Sequence, residues 1–139
     1  MAGSARTGSR RTAAERLARV ARQVLAWEGA GGKRTRVELT LLDAAAMRRL
    51  NRRATGRRGL TDVLSFALPQ PDGTLLGEVY LCPEEDTDEE FVRLAVHGTL
   101  HVLGYDHPEG PGRTRSRMWR RQEDYVRRLL RRGGRGRHR

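Results

Sequence analysis

Three histidines set around one glycine place the tightest condition on how this chain folds: Val96-His97-Gly98-Thr99-Leu100-His101-Val102-Leu103-Gly104-Tyr105-Asp106-His107. His97 and His101 are four residues apart, so on a helix their rings stack on one face a turn apart. Gly104 then supplies a turn that no residue with a Cβ takes easily. Three residues later His107 can return to the same point. Helix, turn and return bring together three imidazoles with an open position, the geometry of a catalytic zinc. Imidazole also suits nickel, copper and iron. The competing arrangement is a closed structural site with Cys82 as fourth ligand. The fourth histidine, His138, stands in the C-terminal tail and adds nothing to this pattern.

The rest of the chain must carry that helix. A length of 139 residues suits one domain with short tails and a real core. No run of about 18 apolar residues is present, so no membrane span is expected. Residues 1–11 have arginines with no apolar stretch behind them and do not read as a signal peptide. A lone cysteine excludes an internal disulfide and fits a reducing compartment.

Periodicity fills in the elements. Thr12 and Glu15 form a capping-box pattern opening a helix over 12–27, with Leu17, Val20 and Val24 on one face and Gly29 beyond its end. Residues 36–42 alternate as a strand with one buried face. Asp43 caps a short helix over 44–53. Residues 62–68 and 75–82 read as two strands joined through Pro69, Pro71 and Asp72-Gly73, a hairpin. The acidic run from Glu84 to Glu90 complements the dipole of the next helix, 88–103; a second metal cluster there lacks any supporting partner. A last helix over 113–132 carries Met118, Tyr125, Val126, Leu129 and Leu130 on its apolar side. This order of helices and strands suggests one sheet with helices packed on it, α+β or α/β.

Charge divides the chain. The formal charge of +11 comes from the ends: residues 1–11 carry +3, residues 113–139 carry +10, and 12–112 carry −2. A basic C-terminal segment can track phosphates. It can equally be a solvated flank, because 27 arginines against the single Lys33 point to a composition bias. Seven aromatics without a stripe argue against an aromatic-sheet RNA-binding module.

The spacing His-x3-His-x5-His is also that of metzincin peptidases, which place a general-base Glu directly after the first His. Here that residue is Gly98, so the peptidase reading lacks its key part. The whole segment from His97 to His107 resembles instead the signature of the YbeY endoribonucleases, His-Gly-x-Leu-His-Leu-x-Gly-Tyr-Asp-His, with Val102 for the second Leu. Thr61-Asp62-Val63-Leu64-Ser65-Phe66 matches a second family motif; Leu76-Gly77-Glu78-Val79-Tyr80 and Leu50-Asn51 match more weakly.

The resemblance implies a single α+β domain: one mixed sheet of about four strands with four to five helices, and the metal site on a central helix and the turn after it. Within it, residues 1–11 are expected as a flexible basic arm, 12–132 as the catalytic domain and 133–139 as a flexible basic tail. The resemblance implies one zinc ion on His97, His101 and His107. It further implies hydrolysis of single-stranded RNA in the cytoplasm, in small-subunit ribosomal RNA 3′-end processing and ribosome quality control. The expected partners are ribosomal RNA, the small subunit and a ribosome-associated protein. A zinc hydrolase of another substrate and a non-catalytic, metal-stabilised ribosome-binding protein are the alternative readings.

The chain departs from the family at Thr55, where the family carries an Arg, and at Leu60 and Ala67, where it carries prolines. The neighbouring Arg57 and Arg58 are candidates to neutralise phosphate charge, against a plain solvated loop. Asp106 is a candidate to orient an imidazole, or simply caps the turn. Ser65 and Glu78 read as structural residues of the strands.

Overall fold

The computed structural model describes residues 2–31 and 34–137, with side chains for 12–31 and 34–132. Helix α1 (Ala2–Trp27) is followed by strand β1 (Thr35–Leu41), helix α2 (Ala44–Thr55), strands β2 (Val63–Pro69) and β3 (Leu75–Leu81), and helix α3 (Asp88–Val102). A 3-10 turn (Arg113–Arg115) leads into helix α4 (Arg117–Arg137).

The sheet order is β1-β3-β2. β2 and β3 form the expected hairpin, in which Ser65 opposes Val79 and Phe66 opposes Glu78. Asp72 Oδ1 closes its turn by accepting from the Thr74 N–H at 3.0 Å. β1 lies parallel to β3, with α2 and β2 in the crossover between them. The sheet therefore has three strands, not about four. Among the described residues, the chain offers no fourth alternating apolar run. Residues 2–11, mostly Arg, Ala, Gly and Ser, continue α1, so the helix begins before the expected start at Thr12. Ala and Arg are good helix formers, so the helix runs back past Thr12 without needing a cap there. At the other end α4 continues through 133–137; His138 lies outside the described residues.

Strand β1 alternates as its sequence dictates: Val37, Leu39 and Leu41 turn inward, while Arg36, Glu38 and Thr40 are exposed. α1 and α3 cover the inner face, and α4 packs on α3. Leu17, Val24, Val79, Leu81, Val96, Leu100, Met118 and Val126 meet in the core between them. Two glycines let α3 lie close on the sheet. A Cβ on Gly98 would stand 2.4 Å from Val79 Cγ1 and 3.0 Å from Ser65 Oγ, and one on Gly77 2.5 Å from Val102 Cγ1.

Candidate metal centre

Both ends of α3 are fixed by local chemistry. The Thr87 hydroxyl accepts from the Glu90 N–H at 3.2 Å, and Asp88, Glu89 and Glu90 face the positive end of the helix dipole. At the other end Gly104 adopts φ +98. The Tyr105 N–H reaches back to the Leu100 carbonyl at 3.0 Å and the Gly104 N–H to His101 at 3.0 Å, the paired bonds of a glycine-terminated helix. The chain then reverses, and His107 returns to α3.

The three rings meet. Their centroids lie 4.6 to 5.1 Å apart, and one ligating atom from each lies within 4.8 Å of the others. His97 is buried; His101 and His107 are half-buried. Each Nδ1 faces an acceptor. His97 Nδ1–H donates to Gln122 Oε1 at 2.6 Å, His101 Nδ1–H to the Tyr105 carbonyl at 2.9 Å, and His107 Nδ1–H to the Pro108 carbonyl at 3.1 Å. With Nδ1 protonated, every neutral ring keeps a lone pair on Nε2. Three Nε2 atoms with oriented rings fit a divalent metal.

The His97 tautomer is set from far along the chain. Gln122 Nε2 donates to Glu123 Oε2 at 3.0 Å, which leaves Oε1 as the acceptor for His97. Glu123 in turn takes two bonds from Arg93, at 2.9 Å each. Arg93 holds the Glu123 carboxyl below its usual range, and Glu123 raises Arg93 in return. Burial pushes the His97 imidazole down to about 4, aided by the charges of His101, His107 and Arg113 and opposed by the Gln122 hydrogen bond. Burial, then the charge of His107, lowers His101. Both shifts favour the neutral ring, the form that ligates.

A second network pins the return loop. Glu28, at the end of α1, accepts from Tyr105 Oη at 2.7 Å and from Tyr125 Oη, and pairs with Arg121 at 3.3 Å. Neither Gln122 nor Glu28 was singled out from the sequence, although each left a trace. Gln122 is a lone polar residue within the apolar stripe of α4, and Glu28 is a carboxylate at the unfavourable end of a helix dipole.

The other candidates are distributed as follows. Asp106 Oδ1 accepts from the His107 backbone N–H at 2.9 Å and so caps the turn. Arg57 stands 3.8 Å from Glu109, on the return loop, and is largely exposed; Arg58 is exposed. Thr55, at the position of the family Arg, bonds the Asn51 carbonyl at 2.7 Å and closes α2. Cys82 is buried and does not join the histidine group. Ser65 lies under Gly98, its buried hydroxyl without a hydrogen-bond partner. Glu78 faces the other side of the sheet, where it accepts from Tyr80 Oη at 3.2 Å. Among the described residues no helix is long and apolar enough to cross a membrane.

An α+β domain that presents three histidines from a helix and its glycine turn is the class defined here. The model of the family "Endoribonuclease YbeY" matches residues 4–130, and the chain belongs to that family. It is similar to the endoribonuclease YbeY of Desulfitobacterium hafniense, 41% identical over 65% of this chain and 68% of that protein. It is 37% identical to the endoribonuclease YbeY of Mycolicibacterium paratuberculosis over 52% of this chain and 53% of that one. The match thus spans about half the length of the mycobacterial relative. Among solved structures it is similar to the solution structure of TM1509 from Thermotoga maritima, with a TM-score of 0.55 and 28% identity, covering 83% of this chain and 79% of that one.

Proposed function

We propose that this chain is a zinc-dependent endoribonuclease that cuts single-stranded RNA. The observation that carries the reading is the set of three Nε2 atoms left free by three occupied Nδ1 atoms, in a chain of a family named for endoribonuclease activity. His97, His101 and His107 would hold the ion. A zinc ion there supplies Lewis-acid polarisation of a phosphodiester oxygen and acidifies water.

The chain supplies the rest. Gln122 and the Tyr105 and Pro108 carbonyls orient the three rings. Asp106 holds the turn that carries His107. Arg57 and Arg58 are exposed on the loop after α2, where Arg57 stands 3.8 Å from Glu109 of the return loop, and would add positive charge along the path of the RNA. Gly98 leaves no carboxylate beside His97, which fits a reaction other than peptide hydrolysis. We assign the chain to cytoplasmic ribosome maturation: 3′-end processing of small-subunit ribosomal RNA and ribosome quality control, with the small subunit and a ribosome-associated protein as partners.

The test is cleavage of ribosomal RNA by the purified protein beside His101→Ala. Cleavage by the first alone supports the reading. Equal cleavage by both, or by neither, contradicts it.

A further inference from the structure

The α2–β2 loop is one rim of the histidine cluster. The opposite rim is formed by the 3-10 turn and the start of α4. There a cleft of about 250 Å³ is lined by His97, Gln122, Arg113, Thr114 and Trp119, with Asp62, Glu90 and Arg93 also on its wall. Arg113 is exposed, lies over the Trp119 ring at 5.8 Å and shares this cleft with His97. Arg117, the first residue of α4, lies over the ring of Tyr105 at 5.8 Å, the residue whose carbonyl orients His101.

The arginines around the site differ in what already neutralises them. Arg93 is held by Glu123 and Glu89, Arg121 by Glu28, and Arg127 and Arg128 by Asp124. Arg57, on the far rim, faces Glu109. Among the described residues neither Arg113 nor Arg117 has a carboxylate partner. Their guanidinium groups rest on aromatic faces instead, which orients them and leaves every N–H donor available. The backbone beneath Arg113 is fixed as well. Its N–H donates to the Gly110 carbonyl at 3.1 Å, and its own carbonyl accepts from Ser116 Oγ at 2.7 Å.

We propose that Arg113 is the phosphate contact beside the histidine cluster in this chain, with Arg117 holding the adjoining phosphate of the same RNA strand. This assignment rests on the endoribonuclease reading. It gives an anionic substrate two oriented cations with no carboxylate partner among the described residues, on the rim across from Thr55, whose hydroxyl is taken up by the Asn51 carbonyl at the end of α2. A guanidinium suits this place because it pairs with two phosphate oxygens at once.

The test is fluorescence anisotropy of a non-cleavable 2′-O-methyl oligoribonucleotide bound to the full-length, zinc-loaded protein across a salt series. Each phosphate contact on a single strand adds about 0.7 to the slope of log affinity against log salt. Arg113→Ala should lower the slope by about that amount and Arg117→Ala by a similar or smaller step. Arg113→Lys should restore the slope, and bound zinc should stay at the wild-type level in all three. Arg36→Ala, on the exposed face of β1, should leave the slope unchanged. An unchanged slope in Arg113→Ala overturns the assignment while leaving the endoribonuclease reading standing. So does an equal loss in Arg36→Ala, which would mean diffuse attraction. No binding by the wild-type protein would overturn both.

Discussion

His97 and His101 ride on α3, whose residues from Val92 to Val102 are nearly all buried between the sheet and α4. His107 hangs from a largely exposed loop, and its ring is oriented only by the carbonyl of the next residue. The helical pair is placed by the hydrophobic core, with or without an ion. The loop ligand is placed by one glycine turn, one capping aspartate and the Tyr105–Glu28 bond. A metal held by these three rings would draw on a rigid half and a half with few buried contacts to hold it.

The largest expected effect separates those halves. His97→Ala should abolish zinc binding and also lower the stability of the metal-free protein by about 1–3 kcal/mol, because Gln122 Oε1 is left buried without its donor. His107→Ala should abolish tight zinc binding and leave metal-free stability within about 0.5 kcal/mol, because its half-buried ring hangs from an exposed loop and gives up only its bond to the Pro108 carbonyl. Urea unfolding with a chelator present reads both. An equal loss in the two variants would break the comparison.

The next effect is one of pH. The His97 pKa falls from 6.5 unfolded to about 4 in the fold, so between those values only the unfolded chain takes up the proton. Metal-free stability should be fully present above pH 6.5 and fall as pH drops towards 4, by up to roughly 3 kcal/mol. His97→Asn should reduce that slope and leave the part that the lowered His101 contributes. Denaturant midpoints between pH 7 and 4 give the answer.

Gln122→Leu keeps the bulk but removes the acceptor behind His97. A loss of about 10–100-fold in zinc affinity is expected, measured by competition with a coloured chelator. An unchanged affinity would mean that helix packing alone orients the ring. The smallest effect belongs to the turn. Gly104→Ala adds a Cβ with nothing within 4 Å of it, so only the backbone strain at φ +98 remains, about 1–2 kcal/mol. Thermal unfolding should show that loss, and zinc should recover part of it by binding the native loop.

Much of this was legible because it is local. The glycines after α1, α2 and α3 mark helix ends where the backbone turns to positive φ, at Gly29, Gly56 and Gly104. Alternation in β1 and the Asp72-Gly73 turn showed their strands directly. The histidine spacing forecast the cluster, because helix geometry and one turn suffice to bring it together. What sequence reading missed lies far apart along the chain. Gln122 stands 25 residues from His97, and Glu28 stands 77 from Tyr105 and 97 from Tyr125. Spacing carries no information at that range; only packing of α4 on α3, and of α1 beside both, creates those bonds. The start of α1 was misplaced for the opposite reason. A sound local cap at Thr12 gave way to ten preceding residues able to extend the helix.

The most direct measurement is X-ray absorption at the zinc edge of the loaded protein. The account predicts three imidazole nitrogens at about 2.0–2.1 Å with a further light atom and no sulfur. A sulfur scatterer at about 2.3 Å, or fewer than three imidazoles, would contradict it.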